Sequence, residues 1–244
     1  MKKLYEKKPL AFALIWIGIY CTVQSLGNMI SSRIGINESA NAVLAAAQAV
    51  FMLLWLHRSG LTQTFGLNKP AQSAERMLYY IPLALICTRN LWNGLNMDPK
   101  PAELCFHIIL MVCVGFLEEL IFRGFLFEAI AKDNLRSAVF ISSITFGLGH
   151  IINLFNGSGM DFSEVIIQII MAAATGLLFV MVYLHSGSII PCMAAHAFIN
   201  ISSAFADEKS VSLQVRLLEY GLMLAVIFIY LRIISKTSIK RTAK

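Results

Sequence analysis

Charge is what this chain has least of. Only 14% of its 244 residues are Asp, Glu, Lys or Arg, whereas a soluble domain carries about a quarter. No hydrophilic stretch is long enough for a soluble domain, and neither internal repeats nor low-complexity tracts occur. Several enzyme signatures are missing as well. There is no H-E-x-x-H zinc-protease motif, no G-x-S-x-G elbow, no phosphate-binding glycine loop and no dinucleotide fingerprint. No serine stands in a setting that marks a nucleophile. The five cysteines, Cys21, Cys87, Cys105, Cys113 and Cys192, fall in apolar runs without C-x-x-C spacing. They read as small core residues, which excludes a disulfide framework and a cysteine metal site.

What is present is apolar. Hydrophobic residues make up 57% of the chain and the mean hydropathy is +0.70, the composition of an integral membrane protein. Apolar runs lie at 10–32, 40–56, 77–92, 104–122, 138–155, 164–184, 189–206 and 213–234. Most approach the roughly 20 residues that cross a 30 Å hydrocarbon core, the second and third being short. The expected fold is all-α and polytopic, with about eight transmembrane helices. The connections at 57–76 and 93–103 carry Gly60, Gly66, Pro70, Asp98 and Pro99 and read as ordinary loops.

Basic residues give the orientation. With the N-terminus in the cytoplasm, fifteen Lys and Arg fall on the inner side, and only Arg33, Arg89, Lys100, Lys209 and Arg216 fall outside. That is the positive-inside bias, and an even number of spans brings both basic tails to the cytoplasm. The net charge of +6 is thus a matter of topology and anionic lipid; spread over loops and tails, it does not suit nucleic acid. Lys2 to Lys8 before an apolar run imitates a signal peptide, but the run is long and lacks an A-x-A-like site, so an uncleaved first helix is expected.

Against this background Glu118-Glu119-Leu120-Ile121-Phe122-Arg123 stands out. At the bilayer centre each ionisable side chain costs roughly 2.5–3.5 kcal/mol, so such groups face a protein interior or a watery cavity. Glu119 and Arg123, four residues apart, share a helix face as a favourable ion pair. Glu118 is turned by about 100° and cannot share the arginine equally well. Partners are available in two later runs. Phe146-Gly147-Leu148-Gly149-His150 places a ring one turn before a histidine, with small residues that admit a close helix. The seventh run opens with Pro191 in a first turn and continues to His196 and Asn200, one turn apart. Bland alternatives stand beside these readings: the acids as helix bridges, His150 as a satisfied core histidine. His57 and His185 at helix ends and His107 near the outer end of the fourth run are weaker candidates.

Two imidazoles and a carboxylate suggest metal-assisted or general-base hydrolysis. Counted at 1.5 Å per residue, Glu118 lies about 9 Å, His196 about 12 Å and His150 about 20 Å from the expected inner helix ends, a spread that tilt must absorb. The site is expected in the inner half of the membrane, opening to the cytoplasm.

The ordered motifs E-E-x-x-x-R, F-x-x-x-H and H-x-x-x-N over about 115–205 resemble the CAAX protease and bacteriocin-processing (Abi-like) family of intramembrane proteases. The resemblance implies peptide-bond hydrolysis on an eight-helix fold, with the catalytic core in helices 4 to 7. It assigns Glu118 to water activation with His150 as its partner. His196 and Asn200 bind the oxyanion or help to hold a metal, in which case His150 and His196 are the ligands and zinc the candidate cofactor. Glu119, Arg123 and Phe146 support the site. The organisation it suggests is helices 1–3 over 1–100, the protease core over 101–210, and a last helix with a basic tail over 211–244. The lean chain fits a bacterial cell-membrane member, whose substrate would be a peptide precursor or membrane protein more readily than a prenylated CAAX protein. A transporter or channel using the same cluster, and a non-catalytic scaffold, remain as alternatives.

Overall fold

The computed structural model describes residues 1–70, 80–92, 94–96, 98–156, 159–206 and 212–236. Arg76, Lys209 and the basic tail at 237–244, all used in the charge comparison, lie outside these residues. The described residues form helices α1 (Lys2–Lys7), α2 (Pro9–Ile34), α3 (Ser39–Ser59), α4 (Ile81–Cys87), α5 (Pro101–Glu119), α6 (Phe127–Ala131), α7 (Leu135–Gly149), α8 (Phe162–Ser186), α9 (Ile190–Ser202) and α10 (Leu213–Lys236). A π-helical turn, Leu120–Leu126, joins α5 to α6, and a 3₁₀ turn, His150–Leu154, continues α7. Among them there is no strand, only an isolated bridge between Leu95 and Ala206.

Local chemistry explains the boundaries. Proline occupies the first turn of α2, α4, α5 and α9, where its missing N–H costs nothing. Asp161 and Glu164 form a reciprocal capping box at the start of α8, and Gly187 at φ 67° ends it. Gly35 (φ 77°) and Gly60 (φ 68°) close α2 and α3 in the same left-handed way.

Among the described residues six helical stretches are long and apolar enough to span a bilayer: Pro9–Ile34, Ser39–Ser59, Pro101–Ala131, Leu135–Leu154, Phe162–Ser186 and Gln214–Ser235. This is an all-α polytopic membrane protein, with six such stretches where eight were expected. The third run is helical over Ile81–Cys87 and begins outside the described residues. The seventh gives only 13 residues of α9, about 20 Å. It can be short because its start is embedded in protein. Ser186, Ser188 and Ile189 are fully buried. The Ile189 N–H donates to Gly66 O at 2.9 Å, and Ser188 Oγ donates to Asn68 O at 2.5 Å. Interior backbone at membrane depth is stable only when satisfied in this way.

The fourth run differs more. It does not stop near 124 but stays helical to Ala131, so Arg123 is no inner-loop charge; it is fully buried mid-helix. The basic bias becomes fourteen to five. The extension also removes the largest discord in depth, since Glu118 now lies about 20 Å from its helix end, as His150 does from the start of α7.

α5 sits at the centre, packed on α3 and α9, while its π turn meets α2 and α7. A Cβ on Gly115 would stand 3.0 Å from backbone atoms of Met193 and Ala197 in α9, and one on Gly147 2.7 Å from Ile169 O in α8. Both glycines let backbones approach. Gly149 has no such neighbour, its nearest being Phe122 at 3.9 Å. Large apolar side chains such as Leu14, Phe140 and Phe162 face outward, as a lipid surround requires. The cysteines are free, Cys87 and Cys192 buried as expected but Cys105 exposed.

Candidate active site

The two adjacent acids point in different directions and do different work. Glu119 is fully buried, and its Oε1 accepts from Arg123 Nη1 at 3.0 Å and from His196 Nδ1 at 2.9 Å. Arg123 also donates from Nη2 to Gly176 O at 3.2 Å. Its guanidinium carbon stands 4.3 Å from the Phe146 ring centre and 5.5 Å from that of Phe179, so the rings supplement the ion pair through their negative faces. Gly176 leaves room for this, because a Cβ there would lie tightly at 3.1 Å from Phe146 and 3.3 Å from Arg123 Nη2.

Glu118, one residue earlier, reaches the opposite way. Its Oε1 accepts a 2.6 Å hydrogen bond from the Tyr20 hydroxyl of α2. Its Oε2 is buried, makes no hydrogen bond within the protein, and lies 3.7 Å from His196 Nε2.

Hydrogen bonding sets the histidine tautomers. A carboxylate only accepts, so the neutral His196 ring carries its proton on Nδ1, towards Glu119, and presents bare Nε2 to Glu118. His150 Nδ1 donates to Phe146 O at 3.1 Å, which likewise leaves Nε2 bare. Phe146 separates the two imidazoles, its ring centre 5.4 Å from that of His150 and 5.7 Å from that of His196.

Glu118, His150, His196, Asn200, Phe146 and Tyr20 all line one cavity of about 470 Å³. Amides from Gln24, Asn28, Asn41, Asn153 and Gln168 complete a polar wall. Glu119 and Arg123 stand behind it. A second cavity of about 780 Å³, between α4 and α9, has a mainly apolar lining that includes Leu83, Cys87 and Phe198. The sequence reading missed Tyr20, because a tyrosine in an apolar run carries no signal of its own. It also missed Glu38, whose Oε2 lies 2.9 Å from His107 Nδ1; His107 Nε2 in turn lies 3.0 Å from Asn200 O.

The bare Nε2 atoms are of the donor type that zinc uses. However, among the described residues no three His, Cys, Asp or Glu side chains group closely enough to hold a metal ion.

Fold and site together define a polytopic helical membrane protein that encloses a carboxylate–imidazole cluster between its helices. Residues 100–202 match the family model described as type II CAAX prenyl endopeptidase Rce1-like. Over this segment the chain is similar to the CAAX protease and bacteriocin-processing family. No curated protein and no solved structure matches the chain.

Proposed function

We propose that the protein is an intramembrane endopeptidase that hydrolyses a peptide bond in a membrane-associated protein or peptide precursor, with Glu118 activating water. One observation carries the reading: Glu118 has one oxygen held by Tyr20 and the other turned towards His196 Nε2 across 3.7 Å, in a cavity shared with His150 and Asn200. Two groups at that separation suit a bridging water.

Glu118 takes a proton from water as the water oxygen bonds to the scissile carbonyl carbon. The carbonyl oxygen becomes an oxyanion, which the Asn200 amide stabilises by donating to it. His150 Nε2 accepts from the water and aligns it. The C–N bond then breaks as Glu118 returns its proton to the leaving nitrogen, which balances the reaction as one water consumed per bond. Glu119 and Arg123 hold His196 in place without touching substrate. The core over 101–210 carries this chemistry, and both termini lie in the cytoplasm of a bacterial cell, the latter supported by the fourteen-to-five basic bias.

Purified protein in liposomes, given a panel of membrane-anchored peptide precursors with and without a prenyl group, tests the reading. Glu118→Gln keeps an acceptor for Tyr20 and should fold normally, yet lose about 10²–10⁴-fold in cleavage. Full cleavage by folded Glu118→Gln would reject the role. Activity should survive a chelator; loss restored by zinc would replace the side-chain mechanism with a metal-assisted one.

A further inference from the structure

We infer that the N-terminal hairpin of α2 and α3, outside the family-matched segment, is a positioning frame for the active site: Tyr20 sets Glu118, and Glu38 acting through His107 sets Asn200. The inference rests on the endopeptidase reading and adds two positioning residues to it.

Tyr20 belongs to the buried face of α2 with Phe12 and Trp16. That packing fixes its ring, so the hydroxyl holds one carboxylate oxygen of Glu118 at 2.6 Å and thereby directs the other at His196. Without the hydroxyl the carboxylate is free to rotate about its terminal bond, a broad and weakly restrained torsion.

The second arm begins in the turn between the two helices. Glu38 has φ 59° and ψ 1° and is, among the described residues, the one non-glycine side chain in the left-handed region. Strain of that sort persists where surrounding structure imposes it and clusters at functional sites. Here the turn is tied to α5 twice: Asn37 donates to Glu103 at 3.1 Å, and Glu38 meets His107 at 2.9 Å. The far nitrogen of His107 donates to the main-chain oxygen of Asn200 at 3.0 Å, because a carbonyl only accepts. Glu38 and Asn200 also line the catalytic cavity. The hairpin therefore holds the water-activating carboxylate at one point and the oxyanion-binding end of α9 at another.

Substitutions can separate this role from simple support of the fold. Tyr20→Phe removes one oxygen and leaves the ring in place. Glu38→Gly removes the carboxylate and suits the left-handed backbone, so it should not unfold the turn. Each should lower kcat about 10- to 100-fold, the worth of a hydrogen bond to a charged group, with KM and the unfolding midpoint little changed. Glu38→Gln, which keeps a polar partner for His107, should recover most of the loss. Thr22→Val serves as control, since Thr22 is exposed and bonds only to Gly18 in its own helix.

Solid-state NMR gives a readout that needs no substrate. The Glu118 carboxyl signal should shift in Tyr20→Phe, and the Asn200 carbonyl signal in Glu38→Gly. If Glu118→Gln abolishes cleavage while Tyr20→Phe and Glu38→Gly cleave like the parent, the hairpin inference alone is overturned. If Glu118→Gln cleaves normally, the water-activating role of Glu118 fails; if the parent protein cleaves no precursor of the panel, the endopeptidase reading fails. Unmoved carboxyl and carbonyl signals overturn the frame whether or not a substrate is known.

Discussion

Replacing Arg123 by methionine is the sharpest test of how the site is held. The substitution keeps the unbranched apolar stem of the side chain but not the guanidinium at its end. It removes the 3.0 Å pair with Glu119, the 3.2 Å bond to Gly176 O and the cation over Phe146. Glu119 is left with a buried charge and one donor, His196. Stranding one member of a buried pair costs about 3–5 kcal/mol, a large part of a typical folding free energy of about 5–15 kcal/mol. At roughly 2–4 °C per kcal/mol for a chain of this size, the unfolding midpoint should fall by about 6–20 °C. Thermal unfolding in detergent measures this directly. The double variant Glu119→Gln/Arg123→Met removes both charges and should recover most of the midpoint, since neutral replacements of buried pairs are often tolerated. It should still be slow in catalysis, because His196 has lost its anionic partner. A single variant as stable as the parent, or a double variant no better than the single, would refute the view that charge pairing at Glu119 supports the core.

Two further outcomes concern topology and packing. Reporter fusions after Lys244 and within 156–163 should report cytoplasmic and external locations respectively; the reverse at either site would sink the proposed orientation. Gly147→Ala should destabilise by about 1–3 kcal/mol as an overpacked contact, since its Cβ would lie 2.7 Å from a backbone oxygen, whereas Gly149→Ala, with 3.9 Å of room, should be nearly neutral. Equal effects in unfolding measurements would mean that α7 and α8 are not packed as described.

The fold class was legible because lipid removes ambiguity: long apolar runs in a charge-poor chain have few structures open to them besides helices. The pairing of Glu119 with Arg123 was legible for a similar local reason, the four-residue spacing. Helix ends were not. The fourth run was cut at Arg123 because a cation reads as a loop residue. In the structure two aromatic rings, a carboxylate and a carbonyl from distant positions make it an interior group. The same limitation hid His196's partner. Spacing paired His196 with Asn200, whereas the contact that orients its ring comes from Glu119, 77 residues away. Tyr20 and Glu38 were invisible because their roles exist only once α2 and α3 pack on α5. Gly147 and Gly149 looked equivalent in sequence, and only the neighbouring helix distinguishes them.

The adjacency of the two acids follows from what the membrane demands. A single buried glutamate cannot at once be neutralised by an arginine and remain free to take a proton, because the hydrogen bonds that hold it also occupy its oxygens. Two consecutive residues on a helix differ in direction by about 100°, so one can be turned to the protein interior and the other to a cavity. Here they are the last two residues of α5, immediately before the π turn at Leu120–Leu126, an irregularity often found at functional sites. Glu119, facing inward, binds Arg123 and His196 and fixes the ring. Glu118, facing the cavity, takes one hydroxyl from α2 and keeps its second oxygen out of protein hydrogen bonds. His196 lies between them, with its inner nitrogen held by Glu119 and its outer nitrogen offered to Glu118, the acid proposed to activate water. The division predicts opposite kinds of failure: loss of Glu119 should appear first in folding, and loss of Glu118 in turnover alone.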